Sequence, residues 1–476
     1  MSTQPSDVIR VVVIGGGPGG YSAAFHAADL GMHVTLIDDA PMPGGVCLYR
    51  GCIPSKALLH AAHLIEDSRA AADLGIRFAE PEIDLDRLRG WKQRVVDRLT
   101  RGLGAIAKQR QVTYLQGRAR FEDAHTLHVR AADEVTAVEF DYAIIATGSL
   151  PAAPAALRLD SPLVLDSTAA LELEDVPESL LVVGGGYIGL ELGSVYAALG
   201  SKVTVVEMTG GLLAGADRDL VDPLERRLKT RFEAIHLHTR VTELTEADGH
   251  VRARLSGPAH DGVELDFSKA LIAVGRQPNS RTVGLDRVGV EVNERGFIIV
   301  DHMLRSNVPH IFAIGDVAGE PMLAHKASHE ARVAAEAITG QPAIFDPAGI
   351  PAVIFTDPEV AWCGLTETQA RERAIPIEVS RFPWAASGRA ITIGRTDGMT
   401  KLIIESGTER ILGIGITGPG AGELMGEAVL AIEMGTTVSD LHLTIHAHPT
   451  LAETLMEAAS LYFGHSPHFM ARPPRT

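Results

Sequence analysis

Apolar and polar positions along this chain fall into one pattern that occurs twice. Residues 8–38 begin with the run Val11-Val12-Val13-Ile14 and pass through a glycine-rich turn. They continue as an Ala-rich stretch stopping near Gly31 and close on a second apolar run ending at Asp38. Short continuous apolar runs predict strands buried on both faces, and the stretch between them predicts a helix. Residues 180–207 repeat the unit, with Gly200 placed as Gly31 is and Glu207 placed as Asp38 is. Strand, helix, strand is the building block of a parallel sheet, so two such sheets are expected.

Between the units, residues 60–110 carry apolar positions at helical spacing, from Leu64 to Leu74 and again from Val95 to Ile106. Residues 112–145 read as short strands with turn signals and end in an apolar run closing on Thr147-Gly148-Ser149. Pro151 and Pro154 mark a crossing into the second unit, which ends in a similar run closing on Gly275. Residues 311–340 predict a strand, a Gly315-Asp316 turn, a loop and a helix from near Leu323 to Gly340. After Pro347 the pattern changes to strands at 352–355, 401–405 and 411–417 and helices near 423–434 and 451–462. That predicts a third, α+β unit without a nucleotide motif.

The glycines of the repeat bring chemistry. Gly15, Gly17 and Gly20 stand as G-x-G-x-x-G after a strand and before a helix, with Asp38 23 residues beyond the first. Gly184, Gly186 and Gly189 repeat the spacing, with Glu207 at the same offset of 23. The first glycine permits the tight turn, the second lets backbone approach a pyrophosphate, and the third allows close helix–strand packing. The acid takes a ribose hydroxyl pair, and the helix N-terminus takes the phosphates. Two dinucleotide sites follow. A carboxylate at the ribose favours NAD over NADP, and the residues after Glu207, Met208-Thr209-Gly210-Gly211, supply no base; Arg218 lies further on.

Only three cysteines occur in 476 residues, and two lie five positions apart in GGVCLYRGCIPSKALL. Cys52 is expected at a helix start, with Pro54 tolerated in the first turn. The dipole and free N–H groups there favour a thiolate. A zinc site needs a second ligand pair, which the sequence lacks, so a redox disulfide is expected and no metal. Two dinucleotides and a redox pair imply that one dinucleotide is a flavin, because thiols and nicotinamide do not exchange electrons directly. Asp316 beside glycine at a strand end fits a sugar or ribityl hydroxyl, or a turn. His448 precedes proline and is followed by Glu453, which could fix its tautomer and raise its basicity; spacing alone leaves capping or packing open.

Composition sets limits. The net charge of −17, with no long basic run, argues against nucleic acid, and no apolar run spans a bilayer. The first residues show neither a signal-peptide core nor an Arg-rich transit pattern, so a reducing, cytoplasmic setting is expected.

Taken together, GGVCLYRGCIPSKALLH, GGGYIGLELGSVYAALGSKVTVVE, AIGDVAGEPMLAHKASHE and HAHPTLAE resemble the pyridine nucleotide–disulfide oxidoreductases, and most of all their dihydrolipoamide-oxidising branch. The resemblance spans roughly residues 8–465. It implies an α/β chain with two Rossmann-like domains, for FAD and NAD, and a C-terminal α+β dimerisation domain. The expected division is 1–151 and 277–346 for the FAD-binding and central parts, 152–276 for NAD, and 347–476 for dimerisation. FAD is implied at Gly15, Gly17, Gly20, Asp38, Lys56, Gly117, Thr147, Gly148, Ser149, Asp316, Met322, Leu323, Ala324 and His325. NAD is implied at Gly184, Gly186, Tyr187, Ile188, Gly189, Glu191, Glu207, Val241 and Gly275.

The resemblance further implies that Lys56 pairs with Glu191 near the flavin and that Tyr187 moves to admit nicotinamide. In an obligate homodimer, His448 and Glu453 would serve the disulfide of the other subunit. Dihydrolipoamide, carried on lipoyl domains of a 2-oxoacid dehydrogenase E2 or on the glycine cleavage H protein, would attack Cys47. Cys52 would pass electrons through FAD to NAD. The alternatives are another NAD(P)H-dependent reductase of the family, such as a glutathione-reductase-like enzyme, or a non-catalytic flavoprotein scaffold or NADH sensor. Asp38-Asp39 and Tyr49-Arg50 depart from the family's usual residues, and Cys363 reads as a packed core thiol.

Overall fold

The computed structural model describes residues 8–132, 134–259 and 261–470. The strand Arg10–Ile14, almost wholly buried, pairs in parallel with His33–Asp38 on one side and Tyr142–Ile145 on the other. Thr113–Gln116 and Ile311–Ala313 complete a five-stranded parallel sheet at its two edges. The helix Pro18–Asp29 packs on this sheet beside the helix Ala324–Ile338, through the small residues Ala23, Ala24 and Ala27.

The second unit repeats this arrangement. Ser179–Val183 is flanked in parallel by Lys202–Val206 and Lys269–Ile272, with Ala234–His236 and Val164–Leu165 outside them. In both sheets the chain order reverses beside the first strand. Ligands of open α/β sheets bind at that point, off the carboxyl ends of the strands. Each unit also carries a three-stranded antiparallel sheet, Arg118–Asp123, Thr126–Ala131 and Glu134–Glu139 in the first and Arg240–Ala247, His250–Ser256 and Glu264–Phe267 in the second. Ser149–Pro151 and Arg276–Pro278, where the chain leaves and re-enters the first unit, pair antiparallel.

The last unit is a five-stranded antiparallel sheet, Ala352–Ile354, Glu359–Gly364, Ile411–Gly418, Met399–Glu405 and Ile377–Pro383 in spatial order. The helices Ala421–Glu433 and Glu453–Tyr462 pack against it around Trp384, Phe382 and Leu455. Cys363 is 1% exposed in this core, and burial pushes its thiol up to about 11, as expected of a packed thiol. The helices expected over 60–110 are Cys52–Ala70 and Leu85–Gln109. Their spacing does not reveal what covers them: Leu64 and Leu74 are exposed. Among the described residues, no helix is long and apolar enough to cross a membrane.

Candidate active site

The two glycine loops are built alike, down to single atoms. Gly15 and Gly184 adopt φ of 108° and 110°. A Cβ on either would fall 2.3 or 2.4 Å from the carbonyl oxygen of Ala146 or Ala273, so only glycine fits. A Cβ on Gly20 or Gly189 would strike the carbonyl of Gly15 or Gly184. Gly17 and Gly186 differ from these. At Gly186 nothing lies within 4 Å of the Cβ position, and at Gly17 the nearest atom is Gly45 Cα at 4.0 Å. The open space lies where a pyrophosphate has to approach, and it fits one in both units. Asp38 accepts from Gly16 N and Ala40 N, and Glu207 accepts from Gly185 N and Thr209 N at 2.7 Å each. Each acid thus sits against its own glycine turn.

A cavity of about 710 Å³ runs from the first loop into the second unit. Of the residues expected at a flavin, it is lined by Gly15, Gly17, Asp38, Lys56, Gly117, Thr147, Gly148, Ser149, Asp316, Met322 and Ala324. Cys47 and Cys52 line it too, as do Tyr187, Ile188 and Glu191 from the second unit. Cys47 lies in the short helix Gly45–Arg50, and Cys52 opens the helix Cys52–Ala70. Both are free thiols, and the exposure of Cys52 is to the cavity it lines.

Their proton affinities are driven apart. Interaction with the Cys47 thiol, together with Lys56 and the Cys52 N–H, outweighs burial and draws Cys52 down to about 7. The same interaction and burial push Cys47 far above the usual thiol range. Of the two sulfurs, Cys52 is thus the one that ionises more readily.

Lys56 Nζ lies 2.7 Å from Glu191 Oε2 and 4.6 Å from the centre of the Phe355 ring. Glu191, 3% exposed, also accepts from Phe355 N at 3.0 Å. Three distant parts of the chain thereby meet at one ammonium. Across the cavity, Ser149 Oγ donates to Asp316 Oδ2 and accepts from Arg276 Nε at 2.7 Å. The Gly315-Asp316 turn is held from behind by Glu330, which accepts from Gly315 N and pairs with Lys326, both at 2.6 Å.

His448 and Glu453 lie outside this cavity's lining. His448 Nδ1 is 2.9 Å from Glu453 Oε1, and Glu453 Oε2 accepts from Thr450 N at 2.8 Å. Burial alone would raise the Glu453 carboxyl, but the Thr450 N–H, His448 and His468 outweigh it and hold the group below its usual range. The carboxylate fixes one ring nitrogen, leaving Nε2 of a largely exposed imidazole directed away from it.

Comparison with known proteins decides the family. Residues 9–331 match the model for pyridine nucleotide-disulphide oxidoreductases, and residues 350–459 match that family's dimerisation domain. The chain belongs to the pyridine nucleotide-disulphide oxidoreductase family. It is 48% identical over 455 residues to a dihydrolipoyl dehydrogenase of Vibrio parahaemolyticus, covering 96% of each chain. It is 49% identical to one from Haemophilus influenzae, over 96% of this chain and 95% of that one. Among solved structures it resembles LpdA from Mycobacterium tuberculosis, with a TM-score of 0.89 and 27% identity over 96% of this chain and all of that one. It also resembles the HOCl-induced flavoprotein disulfide reductase RclA of Escherichia coli, with a TM-score of 0.84 and 29% identity over 95% of this chain and 99% of that one.

Within this family member, some expected residues stand off from the cavity. Gly20 and Gly189 pack behind their loops, and Leu323 caps the helix Ala324–Ile338. His325 Nε2 lies 2.7 Å from the Pro351 carbonyl, facing the third unit. Val241 is 5% exposed, its side chain packed in the apolar core of the second unit. Gly275, with φ of 121°, has nothing within 4 Å of its Cβ position and leaves an open edge at the second sheet. Of the departures, Tyr49 donates to Met42 O, while Arg50 lines the cavity. Sequence reasoning passed over Arg276, Phe355 and the Lys326–Glu330 pair; only the last has a signal, its i,i+4 spacing. The acidic trio Asp217, Asp219 and Glu367 is held by Lys401, whose Nζ lies 2.7, 2.7 and 2.9 Å from them.

Proposed function

We propose that this chain oxidises dihydrolipoyl groups on the E2 lipoyl domains of 2-oxoacid dehydrogenases, or on the glycine cleavage H protein, and reduces NAD⁺. The observation that carries the reading is that Cys47 and Cys52, the latter at a helix start, line one cavity with Lys56 and the first glycine loop. The dihydrolipoyl dehydrogenases at 48% and 49% identity over nearly the full length support it.

FAD would be held by the Gly15–Gly20 loop, Asp38, Gly117, residues 147–149, Asp316 and the start of the Ala324–Ile338 helix, and NAD by Gly184, Gly186, Gly189 and Glu207. When bound, FAD supplies the two-electron link between the cysteine pair and NAD⁺. The remaining chemistry belongs to the chain. His448 Nε2 takes a proton from one substrate thiol, and the resulting thiolate attacks Cys47 of the oxidised pair. The Cys47–Cys52 bond breaks and Cys52 departs as the thiolate that Lys56 and the helix start stabilise. The second substrate thiol, giving up its proton, attacks the substrate sulfur of the mixed disulfide. A cyclic disulfide leaves, and Cys47 takes up a proton. Substrate loses two electrons and two protons, and the cysteine pair gains the electrons.

The position of the dyad supports catalysis across a homodimer, His448 serving the cysteines of the other subunit. The exposed apolar side chains Leu430, Met434, Leu443 and Ile445 of the third unit support it too, as does the dimerisation domain the family model identifies. NAD over NADP rests on Glu207. Arg218 is not free to bind a 2′-phosphate, because its amino groups donate to the carbonyls of Leu212, Leu213 and Ala216. The division at 151, 276 and 346 is proposed on the same reading. Steady-state rates with dihydrolipoamide and NAD⁺, run beside glutathione disulfide and NADPH, test the substrate. Comparable efficiency with the second pair would overturn it. Cys52→Ser tests the scaffold alternative, since a scaffold keeps its role without that thiol.

A further inference from the structure

Arg50 ends the short helix between the two cysteines, is exposed and lines the large cavity, yet the proposed reaction makes no use of it. Four basic side chains line that cavity, and three are already engaged. Lys56 pairs with Glu191 at 2.7 Å and Arg118 with Asp39 at 3.7 Å, while Arg276 donates to Ser149 Oγ at 2.7 Å and to its carbonyl at 2.8 Å. Arg50 has neither an ion pair nor a hydrogen bond among the described residues. The two remaining carboxylates on the wall are satisfied without it, Asp38 by the N–H groups of Gly16 and Ala40 and Asp316 by Ser149 Oγ. One guanidinium is thus left on the cavity wall with no counter-charge from the protein.

We propose that Arg50 is the cation that answers the negative charge of bound FAD. The inference rests on the reading that FAD occupies this cavity. The helix Gly45–Arg50 starts against the first glycine loop, since a Cβ on Gly45 would fall 2.4 Å from Gly17 Cα. Helical side chains lean toward the N-terminus, which carries Arg50 back over the turn of Val46 and Cys47, both on the cavity wall. Its neighbour Tyr49 is held elsewhere, at the Met42 carbonyl. A pyrophosphate at Gly17 brings negative charge that the loop meets with N–H groups and a helix dipole alone. A guanidinium matches phosphate oxygens with two parallel N–H bonds, and Arg50 can make them without breaking a bond inside the protein. The ring of reduced FAD is the second anionic group of the same ligand, and the same charge would serve it.

The test uses holoenzyme of wild type, Arg50→Met and Arg50→Lys. The fluorescence of FAD released on serial dilution gives its dissociation constant, and dye-linked reduction gives the flavin midpoint potential. Arg50→Met should weaken FAD binding about tenfold at low salt, the low end for a hydrogen-bonded charge because the site is open to water. Arg50→Lys restores a cation and recovers part of the loss, and at about 1 M salt the gap between wild type and Arg50→Met closes. Weaker binding at an unchanged potential assigns the charge to the pyrophosphate. A lowered potential with unchanged binding of oxidised FAD assigns it to the reduced ring. Binding and potential both unmoved in Arg50→Met overturn the proposal, as does a loss that is equal in Arg50→Lys and indifferent to salt. Should Arg50→Met fail to fold, Arg50→Gln removes the charge and keeps a polar side chain for the same measurements. Wild-type protein that neither carries FAD nor takes it up refutes the proposed function instead.

Discussion

Neutralising Lys56 and neutralising Glu191 should move the Cys52 thiol in opposite directions. Lys56 lowers the Cys52 pKa and Glu191 raises it, and the two charges lie 2.7 Å apart. An opposite charge within a few ångströms shifts a pKa by about 1–3 units. The Lys56 side chain is 31% exposed, which screens its field, so the low end applies. Lys56→Met then lifts Cys52 from about 7 by roughly one unit. At pH 7 the thiolate fraction falls from about one half to about one tenth, a fivefold loss of reactive sulfur. Glu191→Gln keeps the acceptor for Phe355 N, removes the opposing charge and lowers the Cys52 midpoint by a smaller amount. Iodoacetamide alkylation of reduced holoenzyme across a pH series, with mass spectrometry separating Cys52 from Cys47, reads both midpoints. Displacement of both variants in the same direction, or an unmoved Cys52 midpoint in folded Lys56→Met, would refute the polarised-pair argument.

Further outcomes follow from other parts of the molecule. Lys401→Met removes a fully buried ammonium from Asp217, Asp219 and Glu367, and breaking such a cluster costs about 3–5 kcal/mol. Burial raises Asp217 and Asp219, but Lys401 and their other donors outweigh it and hold both below the usual range. Their contribution is complete above the unfolded carboxylate pKa and is lost as pH falls through the lower folded values. The Tm gap between wild type and Lys401→Met should therefore narrow on acidification; a gap independent of pH contradicts the assignment. His448→Gln should lower kcat/KM for dihydrolipoamide about 10²–10⁴-fold, and Glu453→Gln by less, since it loses orientation and not the base. Glu207→Ser should erode the preference for NAD⁺ over NADP⁺ at least about tenfold, measured as the ratio of kcat/KM values.

Much of this architecture was legible in the residues. Gly15 and Gly184 are legible because a Cβ there would fall 2.3 or 2.4 Å from a carbonyl oxygen, so the turn admits only glycine and the spacing of the glycines marks it. Cys47 and Cys52 are legible because cysteine is rare here and Pro54 marks the helix start. Contacts made between distant segments were not. Phe355 lies about 300 residues from the Lys56 it packs against, and no local period connects them. Arg276 sat in a run read as a strand end, yet its guanidinium fixes Ser149. Leu64 does fall in the helix Cys52–Ala70, while Leu74 ends the short 3₁₀ turn Ala71–Leu74 after it; periodicity reports that a face is apolar and not what lies on it. Which cavity His448 serves is likewise a matter of assembly, beyond what spacing encodes.

The strands Ser149–Pro151 and Arg276–Pro278 lie side by side, so the chain departs for the second unit and returns from it through a single doorway. The sheet it leaves keeps all five strands in order, Ile311–Ala313 joining the edge as though nothing had intervened. A module with adjacent ends can be spliced in, exchanged or rebuilt without disturbing its host. The two glycine turns, matched in φ and in the carbonyl each meets, thus belong to units joined through that one doorway.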